Sequence, residues 1–198
     1  MKIRVVDIPP ESLLSEYQTR KTDLKSDLQS DMQSDLKSNE KFAVKTDNAN
    51  NYCDCFSSTI DCAVDLEQFV YAFYTTRVFR LERKILALTL KLPATNEQAK
   101  LLASGESDSY SFWTVEKRRP SELLLLTNNR HTGSWFMVRD DMEASQSRTE
   151  LLFGSVVFLG SQKTNLLFSI VLVFHKVYSR ILLASAARRT VRLRAKPS

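Results

Sequence analysis

The feature that most constrains the fold is the run at residues 149–159, which is apolar on both faces of a strand except at its start. A strand with one face in water alternates apolar and polar residues, so one face here must meet a helix rather than water. A loop at 160–164 and Asn165, the predicted N-cap, lead to an apolar stretch at 166–187 with helical spacing. We therefore expect a long C-terminal helix to pack against the sheet that contains this strand.

The rest of the chain divides into a first strand, a group of helices and a series of strands. Asp65 and Thr95 are the predicted N-caps of two helices, Gln98 completes a capping box with Thr95, and Gly105 ends the second helix. The predicted order is a strand at 3–8, a helical turn at 11–17, a strand at 52–60, one bent helix or two helices at 66–92, a helix at 95–105, and strands at 110–117, 123–127, 135–139 and 149–159. Segregated helices and strands predict an α+β fold, a curved antiparallel sheet wrapped around the long C-terminal helix.

One repeat interrupts this pattern. Residues 23–38 consist of the four tetrads DLKS, DLQS, DMQS and DLKS. A period of four lies close to the helical period, but four aliphatic residues are too few to anchor a helix firmly. We interpret residues 22–50 as a low-complexity surface insertion and loop within a single domain at 1–198, in preference to a coiled-coil contact.

The net charge of +5 is concentrated at one end of the chain. The segment 188–196 holds five basic residues, and no acidic residue follows position 187. Without those five cations the chain carries 23 basic and 23 acidic residues, so the folded body is neutral. Nucleic-acid binding needs a basic stripe on the body, which argues against a nucleic-acid partner. The basic tail at 188–198 leaves a weak contact with anionic membranes as an alternative.

Composition predicts a globular domain, and the cysteine count and N-terminal residues make the cytoplasm its expected compartment. Hydrophobic residues make up 43% and charged residues 26%, as in domains with their own core. The longest apolar run, 166–174, is interrupted by Ser169 and followed by charged residues, so no integral membrane segment is expected. The N-terminus has no signal-peptide pattern, and three cysteines make no disulfide framework. Nothing in the sequence sets the oligomeric state.

Several short strings of residues are similar to those of a known group of proteins. They are Trp113-Thr114-Val115-Glu116, Glu122-Leu123-Leu124-Leu125, Ser134-Trp135, Phe153-Gly154-Ser155-Val156, Phe174-His175 and Tyr178-Ser179-Arg180. Together they resemble a bacterial family of unknown function in the START/Bet v 1-like, or helix-grip, superfamily. The resemblance covers about residues 52–187 and leaves out the tetrad repeat. It implies an apolar ligand held between sheet and helix, or chemistry in the same place, although the fold alone does not decide which.

His175 is the leading candidate for a functional side chain. Helical spacing places Leu172, His175 and Tyr178 on the face toward the sheet, while Lys176 and Arg180 point away. A buried imidazole must be hydrogen-bonded, because an unsatisfied polar group costs about 1–3 kcal/mol. The candidate partners are Asp54, Glu116 and Ser155. His175 is therefore either a satisfied core residue, which we favour, or a ligand contact or acid–base group.

The remaining candidates are two tryptophans and three cysteines. Trp113 and Trp135 are either core residues or the walls of an apolar ligand pocket that also contains Leu172, His175 and Tyr178. Cys53 and Cys55 share one face of a strand, and with Cys62 and a histidine they would complete a zinc site. Their spacing matches no zinc ribbon or finger, so we interpret the cysteines as small buried hydrophobic residues and predict neither metal nor cofactor.

Three functional hypotheses follow. The first is a domain that binds a small apolar or amphipathic ligand between sheet and C-terminal helix. The second is an enzyme that uses the same cavity with His175 as acid or base. The dinucleotide-binding, P-loop, zinc-protease and nucleophile-elbow motifs are all missing, so no catalytic residue is assigned and enzyme activity is not favoured. The third is a peripheral membrane or interaction protein acting through the C-terminal helix and its basic tail.

Overall fold

The protein is described from a computed structural model that covers residues 2–18, 51–90, 94–140, 147–158 and 166–195. Side chains at 82, 85–90 and 166–174 are outside this description. The predicted insertion at 22–50 with its tetrad repeat, the predicted N-cap Asn165 and the side chain of Leu172 therefore lie outside the described residues.

The described chain forms one antiparallel sheet with helices. The elements are β1 (Arg4–Val5), a 3-10 turn (Ser15–Tyr17), β2 (Asn51–Ile60), α1 (Leu66–Tyr74), α2 (Arg77–Leu90), α3 (Asn96–Ser104), β3 (Ser109–Tyr110), β4 (Trp113–Arg119), β5 (Glu122–Thr127), β6 (Thr132–Asp140), β7 (Thr149–Phe158) and α4 (Leu166–Arg194). The strand order across the sheet is β1-β2-β7-β6-β5-β4-β3, and every neighbouring pair is antiparallel. The predicted α+β class, with an antiparallel sheet and a long C-terminal helix, is confirmed.

The helix ends follow the capping pattern of the sequence. The Asp65 side chain accepts a hydrogen bond from the backbone at the start of α1. Thr95 and Gln98 form both hydrogen bonds of the capping box of α3, and Gly105 ends that helix with a left-handed φ of 85°. The segment predicted as one bent helix or two is two helices, because α1 ends at Tyr74 and α2 begins at Arg77.

Both faces of β7 are covered, as its lack of alternation requires. On one face Leu151 and Phe153 belong to the main core, which α1 and α4 close. On the other face Leu152 packs with Leu13 and Leu14 of the N-terminal segment. The helix expected on one face is therefore present. The second cover is a short N-terminal segment rather than a helix.

Gly154 of β7 permits this second contact. A Cβ atom at position 154 would lie 2.5 Å from Leu14 Cδ2, 2.6 Å from the carbonyl oxygen of Asp54 and 3.1 Å from Trp135 Cε3. Real Cβ atoms do not come that close to backbone oxygen. The N-terminal segment therefore reaches the sheet because this position has no side chain.

Several boundaries differ from the prediction. The strand predicted at 3–8 is only Arg4–Val5, and the strand predicted at 135–139 begins at Thr132. The C-terminal helix extends to Arg194 instead of ending near 187, so most of the predicted tail at 188–198 is helical. The extension is held from inside, since Thr190 is buried and Arg189 Nε donates to Thr75 Oγ1 at 2.6 Å. The strand predicted at 110–117 is divided into β3 and β4 by a tight turn in which Ser111 has a φ of 57°. None of the described helices has the length and apolar character needed to cross a bilayer.

Candidate functional site

A cluster of four polar side chains lies where α4 crosses β2 and β7. We call Tyr52, Asp54, Ser155 and His175 the Asp54 cluster. Asp54 and Ser155 are direct partners in the β2–β7 register, which brings their side chains together on one face of the sheet. Tyr52 shares that face because it is two residues from Asp54, and α4 places His175 above the pair.

Asp54 is the centre of the hydrogen bonds in this cluster. Its Oδ1 accepts from Ser155 Oγ at 2.5 Å and from the Ser155 backbone nitrogen at 3.1 Å. Its Oδ2 accepts from Tyr52 Oη at 3.3 Å. The Asp54 side chain is only 7% exposed, so these three donors replace the water that the carboxylate gives up on folding.

His175 joins the cluster through Ser155. Its Nε2 lies 2.7 Å from Ser155 Oγ and 3.9 Å from Asp54 Oδ2, so the hydroxyl bridges ring and carboxylate. A hydroxyl has one proton, and Ser155 uses it toward Asp54. The oxygen must therefore accept from Nε2–H, which leaves Nδ1 as the basic nitrogen of the neutral ring.

These contacts confirm that His175 faces the sheet. Of the three candidate partners, Ser155 bonds the ring directly and Asp54 is one step further. Glu116 is elsewhere and pairs with Arg130 at 3.1 Å. The His175 side chain is 31% exposed, so the ring is accessible as well as hydrogen-bonded. Tyr178, the next predicted site residue along the helix, is half-buried against the main core.

Burial and negative charge keep the phenol of Tyr52 neutral. Desolvation first, and then the neighbouring carboxylate of Asp54, raise the pKa of Tyr52 well above its usual value. A neutral phenol is a donor to Asp54 over the whole physiological pH range. Tyr52 therefore acts as a fixed donor in the cluster and does not exchange protons with it.

An open cleft of about 550 Å³ adjoins the cluster, between β1, β2 and α4. Its lining residues are Val5, Val6, Asp7, Ile8, Gln18, Tyr52, Cys53, Asp54, Cys55, Phe56, Lys176, Val177 and Arg180. Most of this surface is aliphatic or aromatic. Two cations from α4 border it: Lys176 Nζ lies 5.4 Å from the ring centre of Tyr52, and the Arg180 guanidinium lies 5.6 Å from that of Phe56. The cleft is therefore amphipathic.

The two tryptophans are on opposite faces of the sheet, which corrects the prediction of one pocket containing both. Trp113 belongs to the main core with α1 and α2 and stacks on Phe112 at 3.8 Å between ring centres. Trp135 is fully buried on the other face and donates from Nε1 to Glu122 Oε2 at 2.9 Å. Both are core residues, and neither lines the cleft beside α4.

Cys53 and Cys55 do not lie beside His175 in the structure. Cys53 and Cys55 belong to the core beneath the N-terminal segment, on the face of β2 opposite His175. Burial, with a smaller effect from Asp54, raises the pKa of each of these two thiols to about 12. Within the described ranges no three His, Cys, Asp or Glu side chains are grouped closely enough to hold a metal ion.

The raised thiol pKa values predict slow chemical labelling. At pH 8 a thiol with a pKa near 12 is thiolate in about one molecule in 10⁴, against about one in four for an ordinary thiol. We expect a thiol-reactive disulfide reagent to label half-buried Cys62 first, with Cys53 and Cys55 labelled only after unfolding in guanidinium chloride. Cys62→Ser should abolish the fast phase. Rapid labelling of all three thiols in the folded protein would contradict the packing of β2.

Sequence patterns missed the residues that make the cleft. Tyr52, Asp54 and Phe56 alternate along β2, and that alternation was the available signal. Lys176 and Arg180 were predicted to point away from the sheet, and both are exposed. They nevertheless reach over the β2 rings, because long cationic side chains lay their stems on apolar surface.

Comparison of the chain with protein-family models, with curated proteins and with solved structures finds no match. The helix-grip superfamily suggested by the short strings of residues therefore stays a prediction.

Proposed function

We propose that the protein binds a small amphipathic anion in the cleft between β1, β2 and α4. The observation that carries the proposal is the apolar wall of the cleft together with the cationic rim that α4 adds; the two acidic residues of the lining are exposed Asp7 and buried Asp54. Val5 and Phe56 offer the wall, while Lys176 and Arg180 offer charge at the helix side. A ligand with a hydrocarbon or aromatic body and one carboxylate or sulfonate group would satisfy both.

The position of Asp54 explains why the head group would stay at the rim. Asp54 lines the same cleft and is satisfied by its own three donors, so it offers an anion no favourable contact. An anionic group therefore belongs beside Lys176 and Arg180, with the apolar body directed toward β1. We therefore expect amphipathic anions to bind in the cleft more tightly than cations or neutral hydrocarbons.

The architecture is compatible with the helix-grip superfamily, and we extend the proposal to that fold. Its support is an antiparallel sheet, closed on one face by a long C-terminal helix that packs against β2 and β7. In such a fold a ligand lies between sheet and helix. The cleft lies at the border between these two layers, next to the edge strand β1.

Fluorescence titration tests the ligand class. We expect 8-anilinonaphthalene-1-sulfonate to bind the full-length protein and decanoate to displace it. The double variant Lys176→Ala/Arg180→Ala should bind roughly tenfold or more weakly, because charge-assisted contacts are worth about 1.5–3 kcal/mol each. Both side chains are exposed, so folding should be unaffected.

A matched control removes the same charge from the same helix. Arg188→Ala/Arg192→Ala changes two exposed arginines that do not line the cleft, and its affinity should equal that of the parent protein. Equal losses in both double variants would mean that only net charge matters. Unchanged affinity in the Lys176/Arg180 variant would remove the cleft from consideration.

Proton-transfer catalysis at the Asp54 cluster, which adjoins the cleft, is the second candidate function and is favoured by one specific observation. The hydrogen-bond chain Asp54–Ser155–His175 orients a one-third-exposed imidazole with Nδ1 as its basic nitrogen. A carboxylate that acts through a hydroxyl to fix a histidine tautomer is an arrangement suited to a general base. In this proposal His175 accepts and releases the proton, whereas Asp54 and Ser155 hold the imidazole ring in position.

A further inference from the structure

Helix α4 has a second apolar surface that faces away from the sheet. Val177, Ile181 and Val191 are 50%, 48% and 41% exposed. At 100° per residue these three positions fall within about 80° of each other around the helix, opposite buried Leu183 and Ala186. We call this the outer face of α4. Its apolar line is about 21 Å long at 1.5 Å per residue.

Cations of α4 flank this apolar line, and the helix itself contributes no acidic residue. The exposed basic side chains of α4 are Lys176, Arg180, Arg188, Arg192 and Arg194. The sequence of α4 contains no Asp or Glu. An exposed helical surface normally mixes both signs of charge, so an all-cationic surface with branched aliphatic residues is not a simple solvated face.

We propose that the outer face of α4 docks on an anionic lipid bilayer. Helices that lie in the membrane interface combine Lys and Arg with a row of apolar side chains that enter the head-group region. Each basic residue near such a surface contributes attraction, and the aliphatic line adds apolar burial. This interaction goes beyond ligand binding in the cleft. Lys176, Val177 and Arg180 border the cleft as well, whereas the rest of the outer face does not line it: Ile181, Arg188, Val191, Arg192 and Arg194.

The positive charge of the outer face of α4 favours an anionic bilayer over a second copy of the chain as its partner. A second copy of the chain would bring two surfaces of five cations together, and like-charge juxtaposition opposes that contact. A bilayer with anionic head groups complements both the cations and the aliphatic residues. The inner face of α4 stays packed on the sheet, so the helix lies along the membrane surface while the fold is intact.

Vesicle co-sedimentation of the full-length protein tests the proposal. We expect binding to vesicles of phosphatidylcholine with 30% phosphatidylserine, weak binding to pure phosphatidylcholine, and loss of binding as NaCl rises from 20 to 300 mM. Arg188→Glu/Arg192→Glu should weaken binding to the anionic vesicles on the order of thirtyfold or more. Ile181→Ser should weaken it several-fold, including at intermediate salt.

The control reverses two exposed cations elsewhere. Lys84→Glu/Lys100→Glu has the same net charge as the helix variant but changes α2 and α3, and it should bind nearly as well as the parent. Equal weakening in both variants would overturn the proposal in favour of attraction by net charge. So would indifference to phosphatidylserine, or self-association by light scattering without vesicle binding. Unchanged 8-anilinonaphthalene-1-sulfonate affinity in the α4 variant separates this result from the cleft.

Discussion

Glu122→Ala should lower the free energy of unfolding by roughly 3–5 kcal/mol, the largest effect expected from any polar substitution in the described chain. Glu122 is 4% exposed. Its Oε2 accepts from the Leu13 backbone nitrogen at 2.7 Å and from Trp135 Nε1 at 2.9 Å, and its Oε1 faces Arg119 at 3.3 Å. Alanine would leave two buried donors without an acceptor and release the N-terminal segment from the sheet.

Urea unfolding followed by tryptophan fluorescence measures this effect. Glu122→Gln keeps one acceptor oxygen for both buried donors, so it should lose only about 1 kcal/mol. Glu150→Ala breaks an ion pair with half-exposed Arg139 and should change stability by about 1 kcal/mol or less. If Glu122→Ala were as mild as Glu150→Ala, the N-terminal segment would not be anchored by this carboxylate.

The contacts of Glu122 are also a part of the fold that sequence patterns did not predict. The lack of alternation in β7 predicted that both of its faces are covered, and the capping residues predicted the starts of α1 and α3. No pattern shows that Leu13 reaches a carboxylate 109 residues further along the chain. A backbone donor has no sequence signature, and Gly154, which makes room for this segment, is equally consistent with an ordinary bulge.

The sequence predicted the part of the candidate site that depends on a single element, the C-terminal helix. Helical spacing alone placed His175 toward the sheet, and its list of partners included Asp54 and Ser155. The tryptophans depend on strand register instead. Side chains alternate with a period of two, so a shift of one residue moves Trp113 or Trp135 to the other face. The register pairs Trp135 with Leu124 and Trp113 with Thr127. Leu124 and Thr127 are three residues apart on β5, so the two tryptophan side chains lie on opposite faces of the sheet.

The sequence did not predict the cleft, because the cleft also depends on how separate elements pair. It needs β1 beside β2, which the antiparallel pairing of Arg4 with Ser57 and of Val5 with Phe56 establishes. It also needs Lys176 and Arg180 to fold over aromatic rings. Long side chains have several rotamers, and which one covers a ring depends on the surface beneath it. Sequence spacing gives the direction of the Cα–Cβ bond but not the position of the charge.

Asp54→Ala should cost roughly 2–4 kcal/mol of stability, because a buried backbone nitrogen and two hydroxyls lose their shared acceptor. His175→Leu should cost only about 1 kcal/mol, since the ring is one-third exposed and Ser155 keeps its bond to Asp54. This order of effects follows from Asp54 being the anchor of the cluster and His175 its outer member. Thermal or urea unfolding of the two variants measures it.

Nitrogen-15 spectra of the imidazole rings test the functional part of the same arrangement. The chain has two histidines, so exposed His131 serves as the internal reference. We expect neutral His175 to carry its proton on Nε2, and Ser155→Ala to shift it toward the ordinary mixture of tautomers while His131 stays unchanged. His175→Leu should remain folded, so any reaction found for this protein should be lost with an intact fold. A Nδ1-protonated ring in the parent protein, or a His175 substitution as destabilising as Asp54→Ala, would make His175 a structural residue and leave ligand binding as the proposed function.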